Sequence, residues 1–171
     1  RNALSVMTQG AAVIAIVSLV WAIAGYSIAY APGSAWLGGG ANLLLANLGQ
    51  LRDGMTVPES AFVLFQMALA LLAASLLIGA VAERARLGWL IGFAPLWLLL
   101  VYAPTVHAVW GGGWLADLGV LDFAGGLVVH GVAGFSALTL ALIAGRRREA
   151  SDPGHSPVLG LAGGALLWVG L

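Results

Sequence analysis

Phe123-Ala-Gly-Gly-Leu-Val-Val-His-Gly-Val-Ala-Gly-Phe-Ser-Ala-Leu-Thr-Leu-Ala-Leu-Ile-Ala-Gly145 runs without one Asp, Glu, Lys or Arg, and Arg146, Arg147 and Arg148 follow it at once. Crossing the hydrocarbon core of a bilayer as a helix takes about 20 apolar residues, and positive charge collects at the cytoplasmic end. The segment therefore reads as a transmembrane helix. His130 lies inside it and Asp122 directly before it. A charge in a bilayer costs a few kcal/mol even on lenient insertion scales, so an acid and an imidazole placed here are candidates for handling a polar solute.

The whole chain has the same character. Of its 171 residues 61% are apolar and 8% charged, with a mean hydropathy of +0.99, whereas a water-soluble domain carries charge on about a quarter of its residues. A transmembrane barrel would show alternating segments of about 10 residues, which are absent, so the fold class is an all-α integral membrane protein. Zero net charge speaks against a nucleic-acid partner, and the lack of cysteine removes disulfides and thiolate metal sites. No Ser-His-Asp set, paired carboxylates, metal-ligand spacing or phosphate loop appears, which argues against an enzyme and against a cofactor.

Five spans are expected in a single, partial transmembrane domain covering 1–171: residues 5–30, 60–82, 88–109, 123–145 and 157–171. Ala31-Pro32-Gly33 closes the first. Pro95 and Pro104 fall inside the third, where neighbouring helices can satisfy the carbonyls they free. Ser34 to Pro58 reads as an ordered extramembrane loop with a short helix around Ala41 to Leu51. Arg1 stands directly before a hydrophobic run too long for a cleaved signal peptide, and the fifth span stops after 15 residues. Both ends predict a piece of a longer protein. Six arginines fall at the first end, in the 83–87 loop and in the 146–156 loop, against Arg52 alone on the other side. That split puts the six in the cytoplasm and Trp110 and Asp122 at the external mouth.

Each candidate has a plain reading beside a functional one. Asp122 is suited to cap the fourth helix, and His130, eight residues on and about 12 Å deeper at 1.5 Å per residue, to bond a neighbouring helix. A neutral imidazole both donates and accepts, however, and so meets an amine or a proton as an aliphatic wall cannot. Trp110 fits the interfacial aromatic belt; facing a vestibule, its ring would attract a cation by about 0.5–2 kcal/mol. Gly111-Gly-Gly113 lets backbone come close to a solute or to another helix. His107 is expected to serve structure and His155 to be solvated. Gly125, Gly126, Gly131, Gly134 and Gly160-Leu-Ala-Gly-Gly164 read as helix-packing surfaces.

Phe65-Gln66, Ala82-Glu83-Arg84, Tyr102-Ala103-Pro104, His107-Ala-Val-Trp110-Gly-Gly-Gly-Trp114 and Leu121-Asp-Phe-Ala-Gly-Gly-Leu-Val-Val-His130 resemble motifs of the ammonium transporter family (Amt, Mep, Rh), in the same order and nearly the same spacing. Arg1-Asn-Ala-Leu-Ser-Val resembles the turn into that family's second helix. The resemblance implies a homotrimer of eleven-helix protomers in the cell membrane, each with an apolar pore between two inverted halves. Trp110 would belong to the external ammonium site, Asp122 would support it, and His130 would be the first of two pore histidines, with Gln66 and Leu69 also along the pore. Ammonium would be recognised outside, lose its proton and cross as ammonia while the proton moves along the histidines. Leu69 stands where the family's gating phenylalanine is expected, offering bulk without a π face. On the same resemblance a PII-type regulator is a partner for the cytoplasmic face. Two other readings stay open: the membrane module of an ammonium sensor, and a non-conducting structural subunit.

Overall fold

In hydrocarbon, backbone N–H and C=O groups have no water to bond, so a charge-free stretch satisfies them internally as a helix. The computed structural model describes residues 2–52, 54–81, 84–145 and 156–170, and four of its helical stretches are long and apolar enough to cross a membrane. Arg1, Asp53, Ala82, Glu83, the loop 146–155 and Leu171 lie outside the described residues, and with them part of the arginine count and of the Ala82-Glu83 motif.

Span one is α1 (Asn2–Val20), a π-helical turn at Trp21–Gly25, and α2 (Tyr26–Tyr30). Span two is α3 (Glu59–Gly79). Span three joins α4 (Leu87–Trp97) through a second π-helical turn, Leu98–Tyr102, to α5 (Ala103–Trp110), and the one-turn α6 (Trp114–Asp117) follows. Span four opens with a third π-helical turn, Gly126–Gly131, and continues as α7 (Val132–Ala144). The last helix, α8 (Pro157–Gly170), has 14 residues, too few to span, and is exposed at every one of them. The described residues contain no strand, only isolated bridges at Gly33–Gly38 and Leu51–Pro58.

The π-helical turn of span three has a local cause. Pro104 has no N–H, and its ring crowds the carbonyl of Leu100, four residues earlier. The preceding turn widens, and the Ala103 N–H bonds the Leu98 carbonyl, five residues back. In span one, Gly25 leaves room for the Trp21 ring, which would stand 3.0 Å from a Cβ there. Between these two turns lies an aromatic core, with the Trp21 ring 6.0 Å from Tyr26 and 6.3 Å from Tyr102, and Trp97 5.7 Å from Tyr102. Against it α3 presents Ala70, Ala73, Ala74 and Leu77, all buried, small side chains that allow close helix approach. The Trp97 Nε1–H donates to Ser136 Oγ at 2.9 Å and ties span three to span four.

Of the short helix expected around Ala41 to Leu51, only a 3₁₀ turn at Leu43–Leu45 forms. Leu44 and Leu45 have φ of 54° and 60°, which breaks any helix. The Asn47 side-chain amide donates to the Ala41 carbonyl at 3.1 Å and Asn42 Oδ1 at 3.2 Å, competing with helical bonding.

The loop is nevertheless pinned to the outer helix ends. Arg52 Nη1 lies 3.1 Å from Glu59 Oε1, and the Tyr26 hydroxyl donates to the same oxygen. The Arg52 guanidinium sits 4.4 Å from the Phe62 ring centre and 5.1 Å from that of Tyr30, a cation held over two π faces. Glu59 also occupies the first turn of α3, where the helix dipole favours an acid. E59A strips Arg52 and Tyr26 of their shared acceptor; because both charged groups keep some solvent contact, the expected loss is about 1–3 kcal/mol. Thermal unfolding of the detergent-solubilised protein checks this, with E59Q retaining more of the stability than E59A.

Candidate functional site

A helix that starts inside an apolar stretch exposes its first N–H groups, and a carboxylate just upstream is the strongest acceptor for them. Asp122 meets this need. Its Oδ1 accepts from the Gly126 N–H at 2.8 Å, and its Oδ2 from Leu127 at 3.0 Å and Val128 at 2.8 Å. Three bonds to one side chain require the chain to double back between Asp122 and Gly126. Gly125 does this with φ of 78°, a conformation that costs L-residues about 1–2 kcal/mol.

The helix begins at Gly126, not Phe123, so the stretch from Asp122 to Gly125 is a turn and His130 lies four residues past the helix start. The His130 N–H bonds the Gly125 carbonyl at 2.9 Å, five residues back. π-Helical turns of this kind occur often at functional sites. The imidazole is half-buried and makes no hydrogen bond to another described residue, while Val128 and Val129 beside it are buried.

Trp110 is joined to the same turn. Its Nε1–H donates to the Asp122 main-chain carbonyl at 2.7 Å, and its ring edge lies 3.6 Å from where a Cβ on Gly125 would stand. Asp122 therefore holds the indole with its backbone and the helix with its carboxylate. The ring is half-buried, with its N–H already used.

The glycine run after Trp110 meets protein. A Cβ on Gly111 would fall 2.1 Å from the Ala29 carbonyl oxygen, and one on Gly113 would fall 2.7 Å from Ala108 Cα and 2.8 Å from the Ala35 oxygen. At Gly111 and Gly113 backbone meets backbone, while Gly112 between them faces open space. The buried His107 completes this seam, with Nδ1 3.0 Å from the Ala29 oxygen and Nε2 2.9 Å from the Ser34 oxygen. Its role is structural, as its spacing suggested, and it fastens α5 to the end of span one.

Gln66 and Leu69 lie on α3, which packs against the turn carrying His130 and against α7. Gln66 is 6% exposed, and its Oε1 has no hydrogen-bond partner among the described residues. Leu69 is partly buried against the core. Trp110, Asp122 and Gly125 thus form one bonded unit, with His130 on the helix it caps, and the α3 pair stands on a neighbouring wall. Sequence reading did not anticipate the π-helical turn or the left-handed Gly125; an Asp followed three residues on by a Gly pair is the signal that marked them. Among the described residues no cluster of His, Cys, Asp or Glu has the makings of a metal site.

A family model described as Ammonium Transporter Family matches residues 1–171. The chain is 44% identical to an ammonium transporter of Bacillus subtilis over 99% of its own length and 43% of that protein's. It is 40% identical to the ammonium transporter Amt1 of Archaeoglobus fulgidus, again over 99% of this chain and 43% of the relative. The chain thus spans well under half the length of these relatives. Among solved structures it resembles Mep2 of Candida albicans with a TM-score of 0.76 and 40% identity, covering 85% of this chain and 32% of that one. A structure described as a sensor Amt protein is similar with a TM-score of 0.80 and 29% identity, covering 91% of this chain and 40% of that one.

Both oxygens of the cap accept, so the carboxylate cannot be exchanged for an amide without loss. D122N keeps one acceptor oxygen and turns an NH2 towards the N–H groups the other one served, and D122A removes every acceptor; each is expected to lose about 1–2 kcal/mol, read by thermal unfolding. G125A adds left-handed strain and a Cβ 2.7 Å from Val129 Cγ2, and is expected to destabilise more than D122N.

Proposed function

This chain belongs to the ammonium transporter family, a family of multi-pass membrane transporters and not of enzymes, and we propose that it carries the external recognition site and the first part of the path by which ammonium and ammonia cross the membrane. The observation that carries this reading is the bonded unit of Trp110 and Asp122. An indole whose N–H is tied down has a fixed orientation, and a π face so held attracts a small cation by about 0.5–2 kcal/mol. Ammonium gives up hydration to enter a dry path, and each hydrogen bond that water supplied needs a substitute.

In this reading Trp110 binds the ion and Asp122 acts through it as a positioning residue, because its carboxylate is occupied by three backbone N–H groups. His130, half-buried and without a hydrogen-bond partner among the described residues, is the next polar group inward; its two nitrogens pass a proton by taking hydrogen at one and releasing it at the other. Ammonia then follows an apolar route, with Gln66 and Leu69 on the adjoining wall. Leu69 closes space by bulk alone, so selectivity at this point rests on size. The remaining pore surface, the second histidine, the trimer and a PII-type regulator at the cytoplasmic face belong to the same proposal, drawn from the family.

A second reading is favoured by the likeness to a sensor Amt protein: the same site, read out by a fused signalling domain. Uptake of methylammonium by the full-length protein in cells lacking their own transporters separates the two. W110L is expected to raise the KM for methylammonium by about 2- to 30-fold, the range set by a lost cation–π contact, with the maximal rate less affected. H130A is expected to alter or abolish the maximal rate with KM nearly unchanged. No uptake by a correctly inserted wild-type protein removes the transport reading, and ligand-dependent output from a downstream domain then supports the sensor.

A further inference from the structure

Tyr26-Ser-Ile-Ala-Tyr30 ends span one and Glu59-Ser-Ala-Phe62 begins span two, and spacings of four and three residues put each pair on one face of its helix. The three rings pack on one another, with centres 5.0 Å apart for Tyr30 and Phe62, 5.4 Å for Tyr26 and Tyr30, and 6.5 Å for Tyr26 and Phe62. The Tyr26 hydroxyl donates to Glu59 Oε1. These four side chains therefore hold one another without the loop, and Arg52 reaches them from it. Its guanidinium lies 4.4 Å from the Phe62 ring centre and 5.1 Å from that of Tyr30, with Nη1 3.1 Å from Glu59 Oε1. We propose that Tyr26, Tyr30, Phe62 and Glu59 form a binding cage for small guanidinium and alkylammonium cations, and that Arg52 is its tethered occupant, closing it to ions from solution.

Aromatic faces joined by a carboxylate are the chemistry that recognises organic cations. Glu59 is only 8% exposed, and a carboxylate so buried is strongly unfavourable once its counter-charge is removed. Without the arginine side chain the cage keeps its walls, its acceptor and a need for positive charge. The Tyr30 hydroxyl, buried and with no hydrogen-bond partner among the described residues, is a further acceptor on one of its rings.

The resident side chain fixes the class of ligand. A guanidinium is planar and weakly hydrated, so it lies against a ring while it directs N–H groups at a carboxylate. An alkylammonium keeps the charge and the donors but loses the planar contact. Urea keeps the planar outline and loses the charge, and so gains nothing from Glu59. Arg52 thereby withholds the cage from ammonium, a cation of the same class. The cage shares no residue with the Trp110 and Asp122 unit, and a binding readout needs no transport, so its failure and that of the transport reading are separate results.

Thermal unfolding of the detergent-solubilised full-length protein, with millimolar methylguanidinium, methylammonium or urea, tests the cage. R52A is expected to unfold at a lower temperature than wild type and to regain about 2 °C or more with methylguanidinium. The gain is expected to be smaller with methylammonium and absent with urea. Wild type and R52K, whose cages hold a tethered cation, are expected not to respond. R52A combined with E59Q is expected to lose the response, because the carboxylate that holds the cation is gone. R52Q, with a shorter and neutral side chain, carries the same test if R52A is not recovered folded. An equal shift in wild type, an equal shift with urea, or no shift in R52A or R52Q would each overturn the proposal.

Discussion

The carboxylate of Asp122 accepts from three backbone N–H groups at the start of the membrane helix that carries His130. Everything around the candidate site follows from that cap. The chain doubles back at Gly125 to bring the N–H groups to the carboxylate, and the Asp122 carbonyl is thereby turned towards the Trp110 indole. The helix leaves the cap as a π-helical turn, and that turn carries His130. One acidic side chain thus sets the orientation of the ring above it and the start of the helix that holds the imidazole below it.

The same requirement explains the irregular parts of the other spans. At Pro104 a donor is missing and a carbonyl is crowded, and the backbone answers by bonding five residues back instead of four. At the outer ends, polar groups are gathered instead of spread. Arg52 and Tyr26 share one acceptor atom, Glu59 Oε1, and His107 spans two carbonyls from the end of span one and the loop behind it. These contacts hold the outer seam against which the glycine run lies, so the position of Trp110 is defined from both sides. The opposite end of the bundle uses a related device, since Arg84 joins two helix ends by their carbonyls.

Much of this was legible beforehand. Long runs without charge, followed by arginines, state a membrane helix and its direction, because burying a charge is costly whatever its neighbours. Trp110, Asp122 and His130 stood out for the same reason, as polar chemistry in an apolar chain. The glycine run announced a close approach but not its partner, and that partner is the backbone of Ala29 and Ala35. The helix expected within the outer loop reduced to one turn, since Asn47 bonds the chain in a way that composition does not foretell. Arg52 looked like a lone loop charge until two rings and a carboxylate from separate parts of the chain were seen to enclose it.

The sequence alone determined that the chain is helical and membrane-embedded, because that depends on the solvation of each residue taken along its own segment. Only the tertiary structure decided that Asp122 is spent on a cap, that the indole N–H is bound by a carbonyl, and that His130 sits on a widened turn at the helix start. Those outcomes depend on which backbone groups lack partners after the helices have packed, and that balance exists only once distant segments meet.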